Sequence, residues 1–123
     1  MVPEKIKLHK GTQTLELVFQ GQAFLLPAEF LRVHSPSAEV KGHGPGQAIL
    51  QTGKRNVALV KVEPVGNYAL KLIFNDGHDS GIYTWQYLHD LALHQDRYWG
   101  AYLQALHQAG ATRDPDTQVV KFI

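Results

Sequence analysis

Cysteine is absent from the 123-residue chain. Disulfides, thiolate nucleophiles, iron–sulfur ligation and cysteine-based zinc sites are therefore excluded within this chain. No apolar run approaches the roughly 20 residues that cross a bilayer. The opening residues Met1 to Ile6 lack the apolar stretch of a signal peptide, so a cytoplasmic location and no membrane association are expected. Charge bias is missing too. The net charge is +1, from 12 Lys and Arg against 11 Asp and Glu, and neither sign is gathered into a tail or block. That argues against a nucleic-acid or polyelectrolyte partner. No internal repeat is visible.

Apolar residues make up 44% of the chain, enough for one core in a domain of this length. Ile6-Lys7-Leu8-His9 and Leu15 to Phe19 alternate apolar and polar residues around the turn Lys10 to Gln13. They predict an N-terminal β-hairpin ended by Gln20-Gly21-Gln22. Pro27, at a first helical position, predicts a short helix that must stop before Pro36. Residues 34–47 hold Gly42, Gly44, Pro45 and Gly46 and predict a long loop. Val57 to Val62, Tyr68 to Phe74 and Ser80 to Tyr83 predict a three-stranded antiparallel meander. Its turns are Pro64 to Asn67 and the hairpin signal Asp76-Gly77.

Thr84 is expected to cap a helix from Trp85 to about Leu93. Asp96 is expected to cap a second helix with Trp99, Tyr102, Leu103 and Leu106 facing inward and Gly110 at its stop. The expected fold is α+β: a hairpin and a meander packed against C-terminal helices in one domain, residues 1–110. Residues 111–123 are expected to form a flexible tail.

No complete catalytic set stands out. His94-Gln95-Asp96 matches the His-x-Asp part of an iron facial triad, but it falls at a helix junction where a capping role for Asp96 explains it. Gly42 to Gly46 is a poor phosphate cradle, because Pro45 offers no N–H, and Gly53-Lys54-Arg55 lacks the Ser or Thr of a phosphate-binding loop. Ser80 does not sit in a Gly-x-Ser-x-Gly elbow. Lys54-Arg55 reads as a solvated turn or as the edge of a binding surface.

Three stretches in order carry a resemblance. They are Leu31-Arg-Val-His-Ser-Pro-Ser-Ala-Glu-Val40, Gly42-His-Gly-Pro-Gly46, and Phe74-Asn-Asp-Gly-His-Asp-Ser-Gly-Ile-Tyr83 with Trp85. Together they are similar to the bacterial domain family related to the N-terminal domain of γ-butyrobetaine hydroxylase (DUF971). The resemblance implies a small accessory domain. In the hydroxylases it precedes an iron and 2-oxoglutarate barrel, and relatives are fused to P-loop ATPases of iron–sulfur assembly.

The resemblance also implies a structural zinc held by three cysteines and a histidine. Those positions fall on Ser35, Ser37, Val40 and His78. Serine hydroxyls are poor zinc ligands near neutral pH and valine has no donor atom, so this site is expected to be degenerate and no cofactor is expected.

Three functions follow, in order. The first is a non-catalytic interaction domain serving an unknown protein partner, an oxygenase or an iron–sulfur assembly factor. Arg32, His34, Lys41, His43, Lys54 and Arg55 are its expected contact residues. The second is a metal-binding domain in which His34, Glu39, His43 and His78 would ligate zinc or iron. The third is an enzyme related to 2-oxoglutarate-dependent hydroxylation. Homodimerisation through an exposed strand edge is a further expectation.

Overall fold

The computed structural model describes residues 1–42, 44 and 46–115. It contains two three-stranded antiparallel sheets and four helices in one α+β domain. The first sheet has the order β1 (Lys5–His9), β2 (Thr14–Phe19), β3 (Gln22–Pro27). The second has the order β4 (Leu59–Val65), β5 (Ala69–Phe74), β6 (Ile82–Thr84). Between the sheets in sequence lie α1 (Ala28–Val33) and α2 (Ala38–Lys41). The chain closes with α3 (Trp85–Leu93) and α4 (Gln95–Ala109). Among the described residues no helix is long and apolar enough to cross a membrane.

The alternation along β2 and β5 builds the core. Leu15, Leu17 and Phe19 point inward from β2, and Leu70, Leu72 and Phe74 from β5. Their shared interior also takes Leu26, Phe30, Leu31, Tyr83, Leu88 and Leu91. Both sheets, α1 and α3 thus bury their apolar faces in one cluster. A smaller cluster of Val33, Tyr102 and Leu106 seats α4. Pro64 is tolerated inside β4 because β4 is an edge strand, where a missing N–H costs no ladder bond.

Several elements differ from the sequence expectation. Gln20-Gly21 does not end the first sheet. It is a two-residue turn with both φ positive (49° and 78°), and it leads into a third strand that extends the hairpin. Pro27 is the last residue of that strand and precedes α1 rather than opening it. The expected loop contains α2, capped by the Ser37 hydroxyl on the Glu39 N–H.

Asp76-Gly77 is not a tight hairpin turn, since β5 and β6 are joined by residues 75–81. Asp76 instead accepts the His78 N–H on Oδ1 at 3.2 Å, so its side chain shapes a longer bend. Thr84 caps α3 as expected. Asp96 does not cap α4. It lies in the first turn, and His94 joins α3 to α4 directly with no side-chain cap. Leu103 is 39% exposed, so the inward face of α4 is carried by Trp99, Tyr102 and Leu106.

The segment from Ala111 is docked over its first residues. Gly53 and Arg55 donate backbone N–H groups to the carbonyls of Thr112 and Arg113. The Arg113 guanidinium forks onto the Glu29 carboxylate at 2.7 and 2.6 Å. Glu29 is buried, so this bidentate pair is what satisfies its charge. Residues 116–123, the rest of the expected tail, lie outside the described residues.

Candidate functional site

The loop between α1 and α2 meets the loop between β5 and β6. Ser35 and Ser37 flank Pro36 on the first, and His78, Ser80 and Gly81 line the second. The Ser35 hydroxyl lies 2.7 Å from His78 Nε2, and the Ser37 and Ser80 hydroxyls are 2.8 Å apart. His78 Nδ1 faces Glu39 Oε2 at 3.2 Å. A carboxylate can only accept, so Nδ1 carries the ring proton and Nε2 accepts from Ser35. The Ser37 backbone N–H then donates to Ser35 Oγ at 3.2 Å, which leaves Ser35 as the bridge between the two loops.

Burial makes this network consequential. Ser35 is fully buried and His78 is 4% exposed. Burial is the largest cause of a His78 pKa below the ordinary histidine value, and the Arg32 charge adds to it. The glutamate pulls the other way without reversing the sign. Gly81 is required here, because a Cβ at this position would sit 2.6 Å from Ser35 Oγ and 3.0 Å from the Tyr83 ring. Tyr83 ties the same region to α1 by donating its hydroxyl to the Leu31 carbonyl at 2.5 Å. Burial pushes that phenol well above the ordinary tyrosine range.

The positions assigned to zinc by resemblance are thus drawn together in part. Ser35 bonds His78 directly. Ser37 bonds Ser80, a partner the sequence reading missed, and Val40 is buried as an apolar residue. The donor set is one imidazole, two hydroxyls and an isopropyl group, which does not suit zinc's need for four thiolate, imidazole or carboxylate donors. The alternative set of His34, Glu39, His43 and His78 is brought together only at Glu39 and His78. His34 turns elsewhere, its Nδ1 on the Phe30 carbonyl at 2.8 Å and its ring against Phe30, Tyr98 and Tyr102. His43 lies outside the described residues. Among the described residues no group of three or more His, Asp or Glu side chains could hold an ion.

The order Ser35, His78, Glu39 also has the connectivity of a serine-hydrolase triad. Accessibility argues against that chemistry. The Ser35 hydroxyl has no exposed surface and already accepts an N–H, so a carbonyl carbon has no path to it. Glu39 is 70% exposed on its side chain, a poor setting for orienting a catalytic imidazole.

The expected contact residues divide. Arg32 is buried and internal, donating to Asp76 at 2.8 Å and to Gln51 at 3.1 Å. Lys54 joins it on Asp76 at 3.2 Å. Burial alone would raise the Asp76 pKa, but hydrogen bonds from Arg32, the His78 N–H and Lys54 hold it below the ordinary carboxylate range. Arg32 is therefore a structural residue. Arg55 is exposed and pairs with Asp114 at 2.6 Å. Lys41 is exposed, with its Nζ 4.4 Å from the centre of the Tyr87 ring. The His94-Gln95-Asp96 stretch is a helix junction, with His94 3.8 Å from Asp90.

The family model for the gamma-butyrobetaine hydroxylase-like N-terminal domain matches residues 6–89. Two proteins solved in solution by NMR share the fold over 99% of this chain. One is 57% identical with a TM-score of 0.84, covering 97% of its own chain. The other is 47% identical with a TM-score of 0.79, covering 92% of its own chain. A crystal structure from Acidithiobacillus ferrooxidans, of a DUF971-family protein of unknown function, is 37% identical with a TM-score of 0.61. That match covers 73% of this chain and 91% of the other. No curated protein matches. The matched span takes in both paired loops and the sheets that position them, and the chain belongs to the gamma-butyrobetaine hydroxylase-like N-terminal domain family.

Proposed function

We propose that this chain is a non-catalytic accessory domain, working in the cytoplasm by docking to a protein partner. One observation supports the reading. The polar side chains of the paired loops are engaged with one another, and among the described residues no buried side-chain nitrogen or oxygen lacks a partner. A loop pair satisfied in this way is a stiff surface feature rather than a reacting one. Lys41 and Arg55 are both exposed, Lys41 over the Tyr87 ring and Arg55 paired with Asp114. The family resemblance suggests the partner class, an oxygenase or an iron–sulfur assembly ATPase.

The test has two arms. A fluorophosphonate probe should leave Ser35 unlabelled while labelling a control hydrolase. Calorimetry should show saturable binding to an oxygenase or an assembly ATPase from the native cell. Binding should weaken in a Lys41→Glu, Arg55→Glu double variant. Covalent labelling of Ser35, or no heat with either partner class, refutes the proposal.

A further inference from the structure

A cavity of about 500 Å³ opens between the loop around α2 and the helices α3 and α4. Its volume is in the range of small-molecule sites. Tyr87, Tyr98 and Tyr102 form aromatic walls, and Val33, Leu50 and Ala105 supply aliphatic ones.

The polar groups around it are mostly committed. The Tyr87 hydroxyl donates to the His34 carbonyl at 2.5 Å and Tyr102 to the Gln51 carbonyl at 2.7 Å. Tyr98 donates to Asp90, which does not line the cavity. The Gln51 side chain accepts from Arg32 and donates to the Ile49 carbonyl. Ser35 belongs to the His78 network.

Two groups remain. Lys41 lines the cavity with its ammonium against the Tyr87 face, and it forms no ion pair among the described residues. His34 also lines it. Its Nδ1–H donates to the Phe30 carbonyl, and its Nε2 has no partner among the described residues. With Nδ1 carrying the ring proton, Nε2 of the imidazole is an acceptor. Among the described residues no Asp or Glu lines the cavity, and the formal charge they bring to it is the positive one of Lys41.

We propose that this cavity binds a small carboxylate with an aromatic or branched apolar body. The carboxylate pairs with Lys41, the body lies between the tyrosine rings, and a hydroxyl or N–H on the ligand donates to His34 Nε2. Lys41 and His34 together fix the ligand's orientation against the tyrosine walls. This site goes beyond the accessory reading and does not depend on it.

NMR titration of the isotope-labelled full chain with phenyllactate tests it, with the methyl ester of the same acid and phenethylamine as controls. Saturable shifts are expected at the amides of Lys41, Gln51, Tyr87 and Tyr102. The ester should bind about tenfold more weakly or worse, the loss of one charge-assisted hydrogen bond. Lys41→Met, at an exposed position where folding is not at stake, should weaken the acid by a similar factor and leave the ester unchanged. Ala105→Trp, which fills the cavity, should abolish both. Shifts spread over the whole surface, equal binding of acid, ester and amine, an unaltered Lys41→Met variant, or no shifts at millimolar acid would overturn the proposal. An Arg55→Glu single variant, at a residue outside the cavity lining, reads partner binding in calorimetry independently of this titration.

Discussion

Replacing Ser35 with Ala removes a single oxygen but breaks two interactions. His78 Nε2 loses its donor at 2.7 Å, and the Ser37 N–H loses its acceptor at 3.2 Å. Both orphaned groups are buried, and the covering Gly81 and Tyr83 leave little room for water beside the vacated oxygen. An unsatisfied buried polar group costs about 1–3 kcal/mol. Partial relaxation brings the expected loss for the pair to about 2–4 kcal/mol, a large share of the 5–15 kcal/mol typical of a domain. Urea denaturation should show a lower midpoint with an unchanged slope. Glu39→Gln is the matched control: its partner is the same imidazole, but its side chain is 70% exposed. Its cost should stay below about 1 kcal/mol. A Ser35→Ala loss under about 0.5 kcal/mol, or one no larger than that of Glu39→Gln, would show that the bridge between the loops does not hold them together.

Gly81→Ala should destabilise by about 1–3 kcal/mol through overpacking against Ser35 and Tyr83; wild-type stability in denaturant titration would refute the close packing. Arg113→Met should cost about 3 kcal/mol by leaving the buried Glu29 carboxylate unpaired, and a neutral result would mean the segment after α4 is not docked in solution. Stability should fall as pH drops below about 6.5, the ordinary histidine value. In the folded state His34 and His78 titrate lower, so between the two values the unfolded chain binds more protons and acid favours unfolding. The slope contributed by each histidine is at most about 1.4 kcal/mol per pH unit. His78→Gln should flatten it, and an unchanged pH profile in that variant would contradict the assignment.

The second sheet was legible because Leu70, Leu72 and Phe74 recur at every second residue of β5 and all point inward, and Thr84 caps α3 from an adjacent position. The strand β3 was not, because Gln22 to Pro27 is an edge strand with exposed Leu25 and only Leu26 fully buried. Such a strand carries no clean period to read. Asp76-Gly77 misled for a physical reason: the Asp76 carboxylate answers to Arg32, 44 residues away, and a distant ion pair overrides the local turn preference. The site was half legible. Ser35, Ser37 and His78 were marked by their place in the resemblance. Ser80 and Gly81 were not, since the serine pair joins residues 43 apart in sequence and the glycine's role is to leave space. The cavity beside α4 had no sequence signal, because it is made where the α2 loop and two helices meet.

Hydrogen bonds among Ser35, Ser37, Ser80 and His78 hold the two loops together. Unfolding of untagged protein, with its metal content measured and with chelator or added zinc present, tests this most directly. The midpoint should be the same in all three conditions, with metal well below one equivalent. A stoichiometric ion whose removal lowers the midpoint would contradict it.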